Sequence, residues 1–137
     1  MLRGPNLRRR RINLNFRFEI MGTLPPADLY HRIEEANNRG ERVVVATVAR
    51  TRGSTPQQRG AKMLFFASGE ATGTVGGGCV EAEVWAEARA ALRSGQSALR
   101  HFSLTAEEAS EEGMVCGGTM DIFLEVWKPE AERLVCS

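Results

Sequence analysis

The run RVVVATVAR, residues 42–50, is apolar at nearly every position and rich in valine. A strand with one face in water alternates apolar and polar residues, so an unbroken run of this kind is covered on both faces. It is read as the central strand of a sheet, with helices or other layers above and below. The rest of the chain has to be arranged around it.

Upstream, GTLPPADLYHRIEEANNRG offers Pro25 and Pro26 as a helix start and Asn38 with Gly40 as its stop. Leu29, Ile33 and Ala36 recur at i, i+4 and i+7, which predicts a helix over 26–38. Downstream, TRGSTPQQRG (51–60) is a polar loop punctuated by Gly53, Pro56 and Gly60. AKMLFFA (61–67) and ATGTV (71–75) read as strands joined by a tight turn at SGE, a hairpin. From Val80 to Arg93, Val84, Ala88 and Ala91 share one stripe, glutamates lead and arginines trail, and Ser94 with Gly95 closes a helix. ALRHFSL (98–104) is read as a strand. Thr105, with Glu108 in capping-box position, opens a short acidic helix to Glu112. Met120, Ile122, Leu124 and Val126 alternate with Asp121, Phe123, Glu125 and Trp127, giving a final strand that ends near Pro129. The expected fold class is α/β in the mixed α+β sense: one domain, a central mixed sheet of about five strands, and helices packed on it.

At 137 residues the chain suits one domain with a real core. No apolar run approaches the roughly 18 residues that span a bilayer, so no membrane role is expected. The net charge of +1 hides an asymmetry. Residues 1–20 hold six arginines against Glu19, a balance of +5, and the remainder holds 12 basic and 16 acidic residues, a balance of −4. A four-arginine run could be a nucleic-acid or membrane-surface arm. A disordered basic extension over residues 1–21, preceding a domain over 22–128 and a tail over 129–137, is the reading adopted, with no nucleic-acid partner. The extension has no sustained apolar core followed by a small-residue cleavage site, which argues against a secretory signal.

Three cysteines, Cys79, Cys116 and Cys136, form no CxxC pair; the odd count suits a reducing, cytoplasmic setting. Two of them adjoin glycines. In GTVGGGCVEAEV, Gly76, Gly77 and Gly78 feed Cys79 into a helix start; in GMVCGGTMDIFLE, Cys116 precedes Gly117 and Gly118. Outward-pointing loop amides favour an anion or a polarised oxygen, and the helix start lowers a thiol's pKa, whereas Glu81 and Glu83 raise it. A nucleotide loop is excluded: Cys79 and Val80 stand where GxxxxGK[ST] needs lysine and a hydroxyl, and GxGxxG fails at Glu81. Zinc fits poorly, because only His31 and His101 could join two cysteines lying far apart. Each histidine is alone on its element and is assigned a solvent-facing or hydrogen-bonded structural role. Spacing alone leaves the two cysteines open between buried fillers and a functional thiol pair.

The blocks VATVARTRGSTP (45–56), GAKMLF (60–65), GTVGGGCVEAEV (73–84) and GMVCGGTMDIFLE (113–125) resemble, in order and spacing, the xanthine dehydrogenase accessory family XdhC/CoxI. The resemblance covers the N-terminal domain of that family. It implies a chaperone, not itself catalytic, that binds the molybdenum cofactor (molybdopterin) as cargo. Such a chaperone protects the cofactor while its terminal oxo ligand is replaced by sulfur and passes it to an apo-enzyme. Soft thiolates suit a thiophilic metal. Cys79 and Cys116 map onto the family's GGGCVE and CGGT motifs and are the implied contacts to molybdenum, while Gly76, Gly77, Gly78, Gly117 and Gly118 are implied to bind the cofactor around them. Arg50, Arg52, Ser54, Thr55 and Lys62 lie in the matching loop and strand, as contacts to phosphate or pterin edges or as solvated polar groups. The implied partners are a molybdenum hydroxylase apo-enzyme and a cysteine desulfurase, with self-association into a homo-oligomer.

Two departures stand out. Gln57, Gln58 and Arg59 occupy positions where relatives often carry arginine and proline. Longer members also carry a Rossmann-like C-terminal domain, whose function is expected to be missing here or to fall to a separate chain or a second subunit. Two other roles are consistent with the same residues: a sulfur carrier with Cys79 as nucleophile, and an interaction module for a separate Rossmann-type chain.

Overall fold

A computed structural model describes residues 26–104 and 117–135. The basic extension, the acidic helix expected from Thr105 to Glu112, Cys116 and Cys136 lie outside the described residues. In chain order the elements are α1 (Pro26–Asn38), β1 (Val43–Arg52), β2 (Lys62–Phe66), β3 (Ala71–Gly73), α2 (Glu81–Ser94), β4 (Ala98–Ser103), β5 (Thr119–Trp127) and α3 (Glu130–Val135). The five strands form one sheet in the order β3-β2-β1-β5-β4. Every pairing is antiparallel, the one revision that the expected mixed sheet needs. The cause is local: β2 and β3 are joined by a tight turn, and β1 lies antiparallel to both of its neighbours.

Strand β1 is central, as its composition requires, and from Val43 to Val48 each of its faces is covered. Val44, Ala46 and Val48 join Phe65, Ile122 and Leu124 in a cluster closed by Val84, Ala88 and Ala91 of α2. On the other face Val43 and Val45, with Leu64 and Phe66, meet Leu29, Ile33 and Ala36 of α1. Ile33 is 2% exposed, so Ile33→Ala would cost about 2–5 kcal/mol in lost transfer energy and cavity formation. Trp85 packs edge-on against Phe65 with ring centroids 4.9 Å apart, fixing α2 over β2.

Helix α1 covers only part of its face. Beyond it Leu99 and Phe123, directly paired across β4 and β5, are 56% and 38% exposed. The segment expected as a C-terminal tail contains α3, which is fastened by Arg42. The Arg42 guanidinium donates from Nε and Nη2 to the Glu132 carboxylate at 2.9 and 2.8 Å, and from Nη1 to the carbonyls of Leu92 and Arg93 at 2.7 and 2.9 Å. One cation thus ties α3 to the C-terminal end of α2, where the helix dipole favours positive charge.

A bulge interrupts β1. Its register to β5 runs Thr47 to Phe123 and Val48 to Ile122, then shifts so that Arg50 meets Asp121 and Arg52 meets Thr119. Ala49 is the extra residue. Because side chains alternate, one inserted residue moves all later ones to the opposite face. Without it Arg50 and Arg52 would follow Val44, Ala46 and Val48 into the core. With it they lie on the open part of the other face, beyond the contacts of α1.

Candidate functional site

The sequence blocks meet through the loop that follows β1. The backbone N–H groups of Gly117 and Gly118 both donate to the carbonyl of Ser54, at 3.2 and 3.0 Å. The approach is close: a Cβ on Gly118 would collide with the carbonyl oxygens of Arg52 and Ser54. Only a residue without a side chain lets the two backbones come together here. Two residues further along, Pro56 reaches the other glycine block. A Cβ on Gly76 would stand 2.9 Å from Pro56 Cγ and 2.8 Å from Val80 Cγ1, and Gly76 has φ +156°. Residues 53–56 therefore touch the segment after Cys116 at one end and the segment before Cys79 at the other.

The glycine triplet turns into α2 through a short 3₁₀ turn, Gly77–Cys79, closed by Val80 N–H donating to the Gly77 carbonyl at 3.3 Å. Its amides were expected to point outward. Those of Gly76 and Gly77 instead donate to Thr74 Oγ1, both at 3.2 Å, and Gly77 N–H also reaches Glu81 Oε1 at 3.1 Å. The Thr74 hydroxyl donates to the same Glu81 oxygen at 2.7 Å. Glu81, in the first turn of α2, thus satisfies the loop from within and places its negative charge at the helix start.

Among the other expected site residues, Thr55 donates through Oγ1 to the Gln57 carbonyl at 3.1 Å and shapes the turn. Lys62 Nζ donates to Thr47 Oγ1 at 2.9 Å, across the pair β1–β2. Its amine serves the middle of the sheet rather than the loop crossing. Among the described residues no group of three or more His, Cys, Asp or Glu side chains is placed to hold a metal ion.

Beside the loop crossing lies an open cleft of about 340 Å³ lined by Arg50, Thr51, Arg52, His101, Thr119 and Asp121. Arg52 leads into the 53–56 loop and Thr119 follows Gly118, so the cleft and the crossing are continuous along the chain. Asp121 is its hinge: Oδ1 lies 2.6 Å from His101 Nδ1 and Oδ2 lies 3.5 Å from an Arg50 Nη1. A carboxylate only accepts, so Nδ1–H of His101 is the donor and Nε2 is left as the ring's other polar atom. In the sequence His101 has only a structural role and Asp121 is only the polar half of an alternation. What it lacks is the strand register that sets them side by side.

Residues 36–103 match the sequence model of the XdhC and CoxI family. Through them the chain belongs to that family. The family match contains β1, the 53–56 loop and the glycine triplet and stops at β4, so Gly117, Gly118 and Asp121 lie beyond it. Over 82 residues the chain is 39% identical to YqeB of Escherichia coli (strain K12), a protein described as uncharacterized; the match takes in 60% of this chain and 15% of YqeB. Over 95 residues it is 32% identical to a probable xanthine dehydrogenase subunit from Bacillus subtilis (strain 168), covering 68% of this chain and 29% of that one. A crystal structure described as a xanthine dehydrogenase from Bacillus halodurans superposes with a TM-score of 0.57 at 26% identity, over 70% of this chain and 29% of the other. The XdhC/CoxI-like chain thus spans less than a third of each of these relatives.

Proposed function

We propose that this chain is an accessory protein that holds the molybdenum cofactor for a molybdenum hydroxylase of the xanthine dehydrogenase or CO dehydrogenase type during its maturation. Membership of the XdhC and CoxI family supports the reading, as do relatives whose names tie them to xanthine dehydrogenase. The observation that carries it is the loop at 53–56, which contacts both glycine blocks and so brings the two cysteine-bearing segments toward one region.

The residues fit such a cargo in two respects. Cys79 and Cys116 offer soft thiolates, the donor type a thiophilic metal prefers. The neighbouring cleft carries two arginines against one aspartate, a net positive charge facing an anionic guest. The cofactor, when bound, would supply the dithiolene-held metal at which sulfuration takes place; the protein's part is to hold and shield it. In this reading Cys79 is the principal thiol and Cys116 its partner. Gly76, Gly77, Gly78, Gly117 and Gly118 keep the approach free of side chains, and Arg52, Ser54 and Thr55 line the polar surround. The partners are the apo-enzyme, a cysteine desulfurase, and a Rossmann-type chain or a second copy of this one. The setting is the cytoplasm; no helix among the described residues is long and apolar enough to cross a membrane.

The test is retention of pterin. Protein isolated from a molybdenum-replete host is oxidised and its fluorescent pterin is measured, for the parent chain and for Cys79→Ser. Pterin in the parent that falls by about tenfold or more in the variant supports the reading, a loss equal to roughly 1.4 kcal/mol. Equal and negligible pterin in both contradicts it.

A further inference from the structure

On the open face, two rungs of the antiparallel ladder run side by side. Arg50, Asp121 and His101 stand in register on β1, β5 and β4, and Arg52, Thr119 and Ser103 form the next rung. The arrangement exists because of the bulge at Ala49. A strand without it would point both arginines at the core, where unpaired guanidinium groups cost many kcal/mol; one extra residue places them in solvent instead. The Arg52 guanidinium makes no hydrogen bond or ion pair among the described residues, and Arg50 meets Asp121 only at 3.5 Å with 68% of its side chain exposed. Asp121, 18% exposed, spends its closer contact on His101.

We propose that this cleft binds a phosphate monoester, gripped by Arg50, Arg52 and His101. Two guanidinium forks offer several N–H donors in fixed planes, more than a carboxylate's two oxygens can use and suited to the three peripheral oxygens of a phosphate. His101 is oriented by Asp121 and lines the cleft together with Thr119; with both ring nitrogens protonated it can donate Nε2–H to a phosphate oxygen while Nδ1–H stays on Asp121. Charge favours the same guest: two arginines outweigh one aspartate, leaving a net attraction for a dianion. Asp121 holds His101 and part of Arg50 in place, so the site is preorganised at its base while its arginine arms stay in solvent. The proposal rests on the cofactor reading in taking the same two arginines, Arg50 and Arg52, that face the anionic cargo there, and uses none of its thiol chemistry.

The chain contains two histidines, which makes the test specific. His31 lies on the solvent side of α1, 3.9 Å from Glu35, and serves as the internal reference. The full chain is titrated with inorganic phosphate and, separately, with phenyl phosphate, and the imidazole C–H signals are followed by NMR against sodium chloride at matched ionic strength. A saturable shift of His101 with His31 unmoved is expected, and Arg52→Ala should weaken binding about fivefold or more, with Arg52→Lys between. Tighter binding of phenyl phosphate marks an organic monoester as the guest; equal binding marks the phosphate group alone. Parallel, non-saturating shifts of both histidines, or an affinity unchanged in Arg52→Ala, overturn the proposal. Phosphate binding is read on Arg52→Ala and pterin retention on Cys79→Ser, so the two claims fail separately.

Discussion

Glu81 shows how a side chain can read one way in sequence and act another way in the fold. Its position at a helix start beside Cys79 suggested only a like charge raising a thiol's pKa, yet its carboxylate accepts from Thr74 and Gly77 and pins the glycine turn. Sequence carries the helix-start signal, an acidic residue in the first turn, but does not say that the chain before it folds back onto that acid. Glu81→Ala removes the acceptor and leaves the Thr74 hydroxyl and the Gly77 amide to find water; a loss of about 1–2 kcal/mol in urea denaturation is expected. Glu81→Gln, which keeps a carbonyl acceptor, should lose less. Equal stability of all three proteins would show that the turn holds without this anchor. Gly76 and Gly118 were legible as special because glycine runs beside cysteine are conspicuous. Their reasons were not: each is demanded by a chain segment distant in sequence, Pro56 for one and the Arg52–Ser54 backbone for the other.

Helices and strands were the most legible layer, because burial imposes periodicity. The valine run announced a doubly covered strand, and the stripes of α1 and α2 announced the helices that cover it. The bulge in β1 was not legible. VARTR contains no glycine, and an inserted residue shows only against a partner strand. Helix α3 escaped for a similar reason: six residues make a marginal helix alone, and this one is fastened from outside by Arg42. That fastening has a pH signature. The hydrogen bonds from Arg42 hold the Glu132 carboxyl below its ordinary value of 4.5. A group with a depressed folded pKa contributes stability that is full above the unfolded pKa and is lost as pH falls through the folded one. The parent chain should therefore exceed Glu132→Gln in stability above about pH 5, and the difference should shrink toward zero by about pH 2. A difference independent of pH would show that the ion pair is not its source.

The sheet as a body explains why segments so far apart in the chain meet. Antiparallel pairing of β1 with β5 returns the start of β5 to the end of β1, so Gly117 and Gly118 arrive beside Ser54; the hairpin β2–β3 carries the glycine triplet back toward Pro56. The order of the motifs was readable along the sequence, whereas their meeting depends on strand order, which one sequence does not display. The same frame leaves part of one face bare, and on it sits the arginine–histidine cleft that the bulge creates. The account predicts that Cys79 and Cys116 share one mouth beside this loop. Dibromobimane, which becomes strongly fluorescent when it bridges two neighbouring thiols, tests that directly in a Cys136→Ser background. Bright labelling that disappears on Cys79→Ser or Cys116→Ser is the predicted result, and dim labelling of the two-thiol protein, no greater than that of either single-thiol variant, would contradict it.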